Sequence, residues 1–163
     1  MTTSSESRPI YETKDDRVRE QFVADAVAAH FKVGLSRATE LSTYDYRMLN
    51  GGAPFAALEV KFRYGYNWTQ LRFMNTYMLS VEKWLNLWKI CGEKRWALCI
   101  AVSDKHGEIW ASTWRGSPPI YDVRKGGRRD RNDKNDIESV VHIPMDEFNI
   151  AIRDRDNEKE KDQ

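Results

Sequence analysis

A chain of 163 residues, 40% apolar and 31% charged, is long enough for one domain with its own core, and no run in it is long and apolar enough to span a bilayer. Its 26 Lys and Arg balance 25 Asp and Glu to a net charge of +1, so affinity for nucleic acid would have to come from local clusters. The two cysteines, Cys91 and Cys99, lack CxxC spacing and the three histidines are scattered, which excludes a disulfide framework and argues against zinc.

Both cysteines read as buried free thiols of a reducing compartment. The start, Met-Thr-Thr-Ser-Ser-Glu-Ser, has no apolar signal core, so a cytoplasmic location is expected. Residues 1–12 read as a flexible lead. Thr13 then caps a helix reaching Phe31, with Asp15 and Asp16 in its first turn and Val23, Ala26, Val27 and Phe31 as its apolar stripe. Gly34 ends that unit, and a short strand is expected near residues 33–38.

Between Ser42 and Leu49, Tyr44, Tyr46 and Met48 alternate with Thr43, Asp45 and Arg47. After the turn cluster Asn50-Gly51-Gly52-Ala53-Pro54, the run Phe55–Arg63 puts Leu58, Val60 and Phe62 on one face and Glu59, Lys61 and Arg63 on the other. Two alternating runs around a Gly-rich turn predict a hairpin. Residues 64–79 are aromatic and polar without a clear period. Ser80 is expected to cap a helix over 81–91, closed by Gly92, burying Val81, Trp84, Leu85 and Trp88. Trp96–Val102 reads as a central strand and Glu108–Trp114 as its hairpin partner. Residues 115–138 read as a long irregular basic loop, Val140–Ile143 as an edge strand and Met145–Ile152 as a short helix. Residues 153–163 read as a disordered charged tail. The sum is one α/β domain over 13–152, with its core in 13–114 and helices packed on a central mixed sheet.

A five-residue loop over 50–54 would pair Leu49 with Phe55 and set Asp45 opposite Glu59, with Lys61 two residues on and on the same face. Opposed Cβ atoms lie roughly 4.5–5.5 Å apart, so two carboxylates and an ammonium would share one patch. A one-residue slip would undo this. Facing carboxylates repel and raise each other's pKa; a hard divalent cation such as Mg²⁺ (or Mn²⁺) resolves the conflict and suits phosphodiester chemistry. A lysine beside them could orient water or stabilise charge on phosphate. The plain alternative is a solvated strand face of alternating charge. A second ExK, Glu12-Thr13-Lys14, shows how readily the tripeptide arises.

Asp45 followed by Glu59-Val60-Lys61 on a hairpin, between one helix and a helix–strand pair, resembles the PD-(D/E)xK nuclease superfamily over residues 13–113. The resemblance implies a restriction-endonuclease-like αβββαβ core. It implies metal contacts from Asp45, Glu59 and the Val60 carbonyl, and Lys61 as the catalytic lysine. Tyr44 stands where the family's name has proline. Many members carry a glutamate on the first helix, and Glu20 is the matching candidate, against the plainer reading of an exposed acid paired with an arginine.

Further candidates meet nucleic acid. Arg63 shares the Glu59 face. Gln70 stands nine residues after Lys61, a glutamine spacing found in exonuclease-like members; the alternative is a loop amide. Lys83, in the first turn after Ser80, could touch phosphate at a helix N-terminus. Tyr64, Tyr66, Trp68 and Arg72 interleave aromatic and basic groups that could stack on splayed bases or simply pack, whereas Trp84 and Trp88 read as core. Arg124, Lys125, Arg128, Arg129 and Arg131 surround Gly126-Gly127, as a phosphate-contacting loop would, although Asp130 and Asp133 dilute the patch. The implied activity is metal-dependent DNA phosphodiester hydrolysis by a junction-resolvase-like or weakly specific endonuclease, in a host cytoplasm if phage-encoded. A cutter of two strands would form a homodimer. The competing class is an inactive nucleic-acid-binding or protein-interaction domain on the same fold.

Overall fold

The computed structural model describes residues 14–39, 41–127 and 137–152; the lead, the Thr13 cap and the charged tail expected above lie outside them. α1 (Lys14–Phe31) buries Val23, Ala24, Val27 and Ala28. β1 (Gly34–Arg37), β2 (Tyr46–Asn50) and β3 (Ala53–Arg63) follow, then α2 (Trp68–Phe73), β4 (Thr76–Ser80) and α3 (Val81–Lys94). β5 (Ala97–Asp104), β6 (Ile109–Trp114), β7 (Asp122–Gly127), β8 (Ile137–Pro144), a 3-10 turn (Met145–Glu147) and β9 (Ile150–Ile152) complete the described chain.

The main sheet runs β1-β2-β3-β5-β6-β9, and β4-β8-β7 form a second sheet. β3 and β5 pair in parallel at the centre of the main sheet, and its other neighbours are antiparallel. The parallel pair needs a crossover, which α2, β4 and α3 supply. The αβββαβ order of α1, β1–β3, α3 and β5 is thus present, with α2 and β4 inserted.

The period-2 alternation of the central strands sorts the core into two layers. Ala56, Leu58 and Val60, with Cys99 and Ala101, pack on the α1 side with Val23, Ala24 and Val27. Ala57, Leu98, Ile100 and Val102 pack on the other side with Trp84, Leu87, Trp88 and residues of the second sheet. The two cysteines lie one in each layer as free thiols. Burial raises them, Cys91 to about 11 and Cys99 to about 12, which leaves both protonated and inert.

Several expected boundaries move. The β2–β3 turn has two residues, Gly51 and Gly52, at φ 57° and 81°, the paired left-handed geometry of a tight hairpin. Leu49 therefore pairs with Pro54, not Phe55; a bulge at Phe55 then restores Met48↔Ala56 and Tyr46↔Leu58. The turn expectation was wrong by one residue and the bulge cancels the error before the site. Gly92 does not close α3; the helix continues to Lys94 and ends on Arg95 at φ 57°, whose N–H donates to the Cys91 carbonyl. Leu85 is 59% exposed, and Leu87 takes its place in the stripe Trp84, Leu87, Trp88, Cys91.

The segment 115–138 is not irregular throughout, since β7 occupies 122–127. The strand expected over Val140–Ile143 is not an edge; β8 lies between β4 and β7. Met145–Ile152 is not a helix: a 3-10 turn leads into β9, which pairs with β6 and extends the main sheet beyond the expected core of 13–114. Buried Met145 and Phe148 pack into the layer around α3, and that burial overrides the helical reading of the stretch.

At the far end of β5, Asp104 is buried and serves as a main-chain clamp. One carboxylate oxygen accepts the Trp68 N–H (3.1 Å); the other accepts those of His106 (2.9 Å) and Glu108 (2.8 Å). The clamp closes the β5–β6 hairpin and seats the start of α2 on it. Asp104→Ala strands three N–H groups and is expected to lower stability by about 3 kcal/mol in urea unfolding, with Asp104→Asn, which keeps one acceptor oxygen, costing less.

Candidate active site

The bulge-corrected register brings Asp45 level with Glu59 where β2 and β3 part. The Asp45 N–H donates to the Leu58 carbonyl (3.1 Å), and beyond it no main-chain ladder to β2 continues. The Asp45 side chain takes over that edge: its Oδ2 accepts the Val60 N–H at 2.8 Å. A residue's N–H and C=O leave a strand by the same edge, so the Val60 carbonyl belongs to the edge that Asp45 caps.

Glu59 is 2% exposed, so its face of β3 is not the solvated one that alternating charge suggested. α3 and the second sheet cover that face. One oxygen, Oε1, meets Lys61 Nζ at 3.2 Å and Lys83 Nζ at 3.0 Å. The other, Oε2, is buried and has no hydrogen-bond partner. Lys83 also donates to the Thr43 carbonyl, tying the segment before Asp45 to the first turn of α3. Its own N–H donates to the Ser80 hydroxyl that caps the helix (3.0 Å).

Glu20 reaches the same edge from α1, 3.9 Å from the Arg37 guanidinium of β1. It lies close enough to raise Asp45. Burial is the main force on Asp45, followed by the negative charge of Glu59; the Val60 N–H and Lys61 pull the other way, and the balance stands at about 7. For Lys61 burial alone would lower the ammonium, but attraction to Glu59, Tyr77 and Asp45 outweighs it and the shift is upward.

The donor set fits a hard divalent cation. The unpartnered Glu59 Oε2, the Asp45 carboxylate with its crowded negative charge and the Val60 carbonyl are oxygen donors of the kind such a cation takes. Among the described residues no three carboxylate, imidazole or thiol groups form a closed cage, and Mg²⁺ needs only one or two carboxylates, completing its shell with water and phosphate.

The family profile described as "Phage putative PDDEXK endonuclease" matches residues 6–151. The chain belongs to this family. The resemblance drawn from Asp45 and Glu59-Val60-Lys61 therefore holds at the level of the family, which is one of nucleases. Among solved structures, the chain is similar to Hjc, a Holliday junction resolvase from the archaeal hyperthermophile Archaeoglobus fulgidus. The two are 13% identical over 77% of this chain and 89% of that one, with a TM-score of 0.45. No curated protein matches the chain.

In this PDDEXK chain the remaining candidates separate. Lys83, expected at phosphate, is turned inward onto Glu59. Sequence reasoning placed it at the N-terminal end of α3 but could not see which strand that end meets. Gln70 is engaged in a capping box: its N–H donates to Asn67 Oδ1 (2.8 Å) and its Oε1 accepts the Asn67 N–H (2.9 Å). The spacing Asn67-x-x-Gln70 was the unread signal for α2. Arg63 lies over the Tyr77 ring at 4.3 Å and donates to the Phe62 and Met78 carbonyls. Trp68 is buried, and Arg72 stacks over Trp68 and Trp110, whereas Tyr64 and Tyr66 are exposed. Arg124 and Lys125 are exposed on β7, Arg124 beside Asp122 at 3.3 Å. Gly126 lets the Val140 side chain pack against its backbone: a Cβ there would meet Val140 Cγ2 at 2.8 Å. Arg128, Arg129 and Arg131 lie outside the described residues.

The raised Asp45 has a thermodynamic sign. Its folded-state pKa exceeds the unfolded one, so the fold holds the proton more tightly, and this contribution to stability is lost as pH rises from about 4 through about 7. In metal-free buffer, wild type measured against Asp45→Asn is expected to lose relative stability across that window in urea unfolding. A difference that is flat with pH would refute the strained carboxylate.

Proposed function

We propose that this chain is a divalent-metal-dependent endonuclease that hydrolyses DNA phosphodiester bonds, junction-resolvase-like or weakly specific. It would act as a homodimer in the cytoplasm, the host's if phage-encoded. The observation that carries the reading is the buried Glu59 carboxylate, with one oxygen on two lysines and the other unpartnered, level with Asp45 on the neighbouring segment of the same chain. An inert sheet gains nothing from such a cluster. Removing two charges from water costs several kcal/mol per ion after relaxation, and well-packed apolar residues would serve stability as well.

Asp45, Glu59 and the Val60 carbonyl would hold Mg²⁺ (or Mn²⁺). The bound ion would supply a polarised phosphate and a water deprotonated near neutral pH. Asp45 stays oriented by the Val60 N–H, which fixes one of its oxygens and leaves the other for the ion. Lys61, two residues from Glu59 on the same face, stands where it can donate to the attacking water or to a phosphate oxygen. Lys83 neutralises Glu59 from the other side and, through Thr43, holds the approach to Asp45. Glu20 closes the α1 side of the site. Arg124 and Lys125, on the exposed edge of the second sheet, offer charge to the DNA backbone, with Arg128 and Arg129 following in sequence. Two such sites in a dimer would reach both strands. Among the described residues no helix is long and apolar enough to cross a membrane.

The test is cleavage of supercoiled plasmid, linear duplex, single strands and a four-way junction, each in Mg²⁺, Mn²⁺ or EDTA. Wild type is expected to cut only with metal, and Lys61→Ala and Asp45→Asn to lose about a hundredfold or more. No cleavage of any substrate, or an unimpaired Lys61→Ala, would sink the assignment. Lys83→Ala is expected to fall between, about tenfold down in rate, because Lys61 still pairs with Glu59.

A further inference from the structure

The aromatic stretch after Lys61 divides. Trp68 goes into the core, but Tyr64 stays 52% exposed and stacks on Phe62, with ring centroids 5.4 Å apart and planes 1° from parallel. Opposite them α1 presents Val18 and Phe22, 62% and 56% exposed, instead of the polar residues expected on the outer side of a surface helix. Between the two walls lies a pocket of about 450 Å³, with Val23 and Ser103 also lining it. Arg19 and Lys105 stand at its margin, the Arg19 guanidinium 5.5 Å from the Tyr64 ring centre. Arg19 interacts chiefly with the Tyr64 side chain by hydrogen bond and charge, and Asp16 and Asp15 offset a smaller part of its charge. The lining carboxylate, Asp104, is already committed to three main-chain N–H groups.

The pocket lies on the α1 face of β3, opposite Glu59 and Lys61, and meets the site around the open strand edge that Asp45 caps at Val60. Phe62 is two residues beyond Val60, roughly 7 Å along the strand. Arg19 immediately precedes Glu20, which acts on Asp45. A polynucleotide with its phosphate at the carboxylate pair would carry a neighbouring nucleotide to this opening.

We propose that the Phe22–Phe62–Tyr64 pocket receives an unpaired nucleobase of the DNA substrate, one or two nucleotides from the scissile phosphate, with Arg19 and Lys105 on the adjoining phosphates. The inference rests on the nucleic-acid reading above and narrows its substrate class to DNA with unpaired bases, such as bulges, flaps and single-stranded gaps. Aromatic walls hold a base by stacking without reading its identity. A fully paired duplex fills the pocket only by unstacking a base, which costs energy that an already unpaired base has not to spend.

The test is equilibrium binding in EDTA, read by fluorescence anisotropy, so that it does not depend on cleavage. Three probes share one sequence: a duplex with a single bulged base, the same bulge without its base, and the fully paired duplex. Wild type is expected to bind the bulged base at least fivefold more tightly than either of the others. Phe22→Ser, at an exposed position, should erase that preference, and Phe22→Trp should keep it; thermal melts confirm that both fold. Equal binding of base and abasic bulges, or a preference surviving in Phe22→Ser, would overturn the proposal. So would sedimentation showing that Phe22→Ser dissociates a dimer, since a second copy would then occupy the pocket. A protein that discriminates the base but never cleaves would sink the nuclease reading alone; one that cleaves without discriminating would sink the pocket alone.

Discussion

A carboxylate buried on a central strand has to be neutralised, and much of the arrangement around it answers to that constraint. Glu59 pairs with β5 just past the end of β2, with 2% of its surface exposed. Lys61 comes from its own strand and Lys83 from the start of α3, and both converge on one oxygen. This double attachment fixes where α3 begins relative to β3. Through the Thr43 carbonyl it also fixes the segment that delivers Asp45. The ion cluster joins the two ends of the site as well as neutralising its charge.

Two aspartates do related work at places where main-chain pairing fails. Asp45 takes the Val60 N–H where β2 leaves β3, and Asp104 takes the Trp68, His106 and Glu108 N–H groups around the β5–β6 hairpin. A buried main-chain N–H without an acceptor is expensive, and a side-chain carboxylate is a short, rigid substitute for a neighbouring strand. The difference lies in what remains. Asp104 uses both oxygens on the backbone and is purely structural. Asp45 uses one for the backbone, and burial and the negative charge of Glu59 hold its carboxyl group well above the usual carboxylate range.

The parts legible in the sequence were those whose own periodicity decides them: α1, the β2–β3 alternation, the apolar run of β5 and its hairpin with β6. The pairing of Asp45 with Glu59 was reached through a wrong turn, corrected by the bulge at Phe55. The second sheet was not legible. Thr76–Ser80 is five residues long and lies within an aromatic stretch, and β7 is spelled in Arg, Lys and Gly, so neither displays a strand pattern of its own. Each exists because β8 pairs with it. Overlooking that sheet is also why the Glu59 face could read as solvated and Lys83 as a phosphate contact. Of the two readings of Gln70, a distant substrate contact and a local amide, the structure shows a local partner, Asn67, three residues away.

Ser80 is at once the last residue of β4 and the cap of α3. No linker separates the second sheet from the helix turn that carries Lys83. The junction therefore behaves as a rigid weld, and Lys83 inherits the orientation of the whole β4-β8-β7 sheet. Drift in chain length elsewhere can be absorbed, as the bulge at Phe55 absorbs one residue. At positions 79–81 a single inserted residue would turn α3 by about 100° and carry the lysine off the carboxylate, so this short stretch should be among the least tolerant of insertion in the chain.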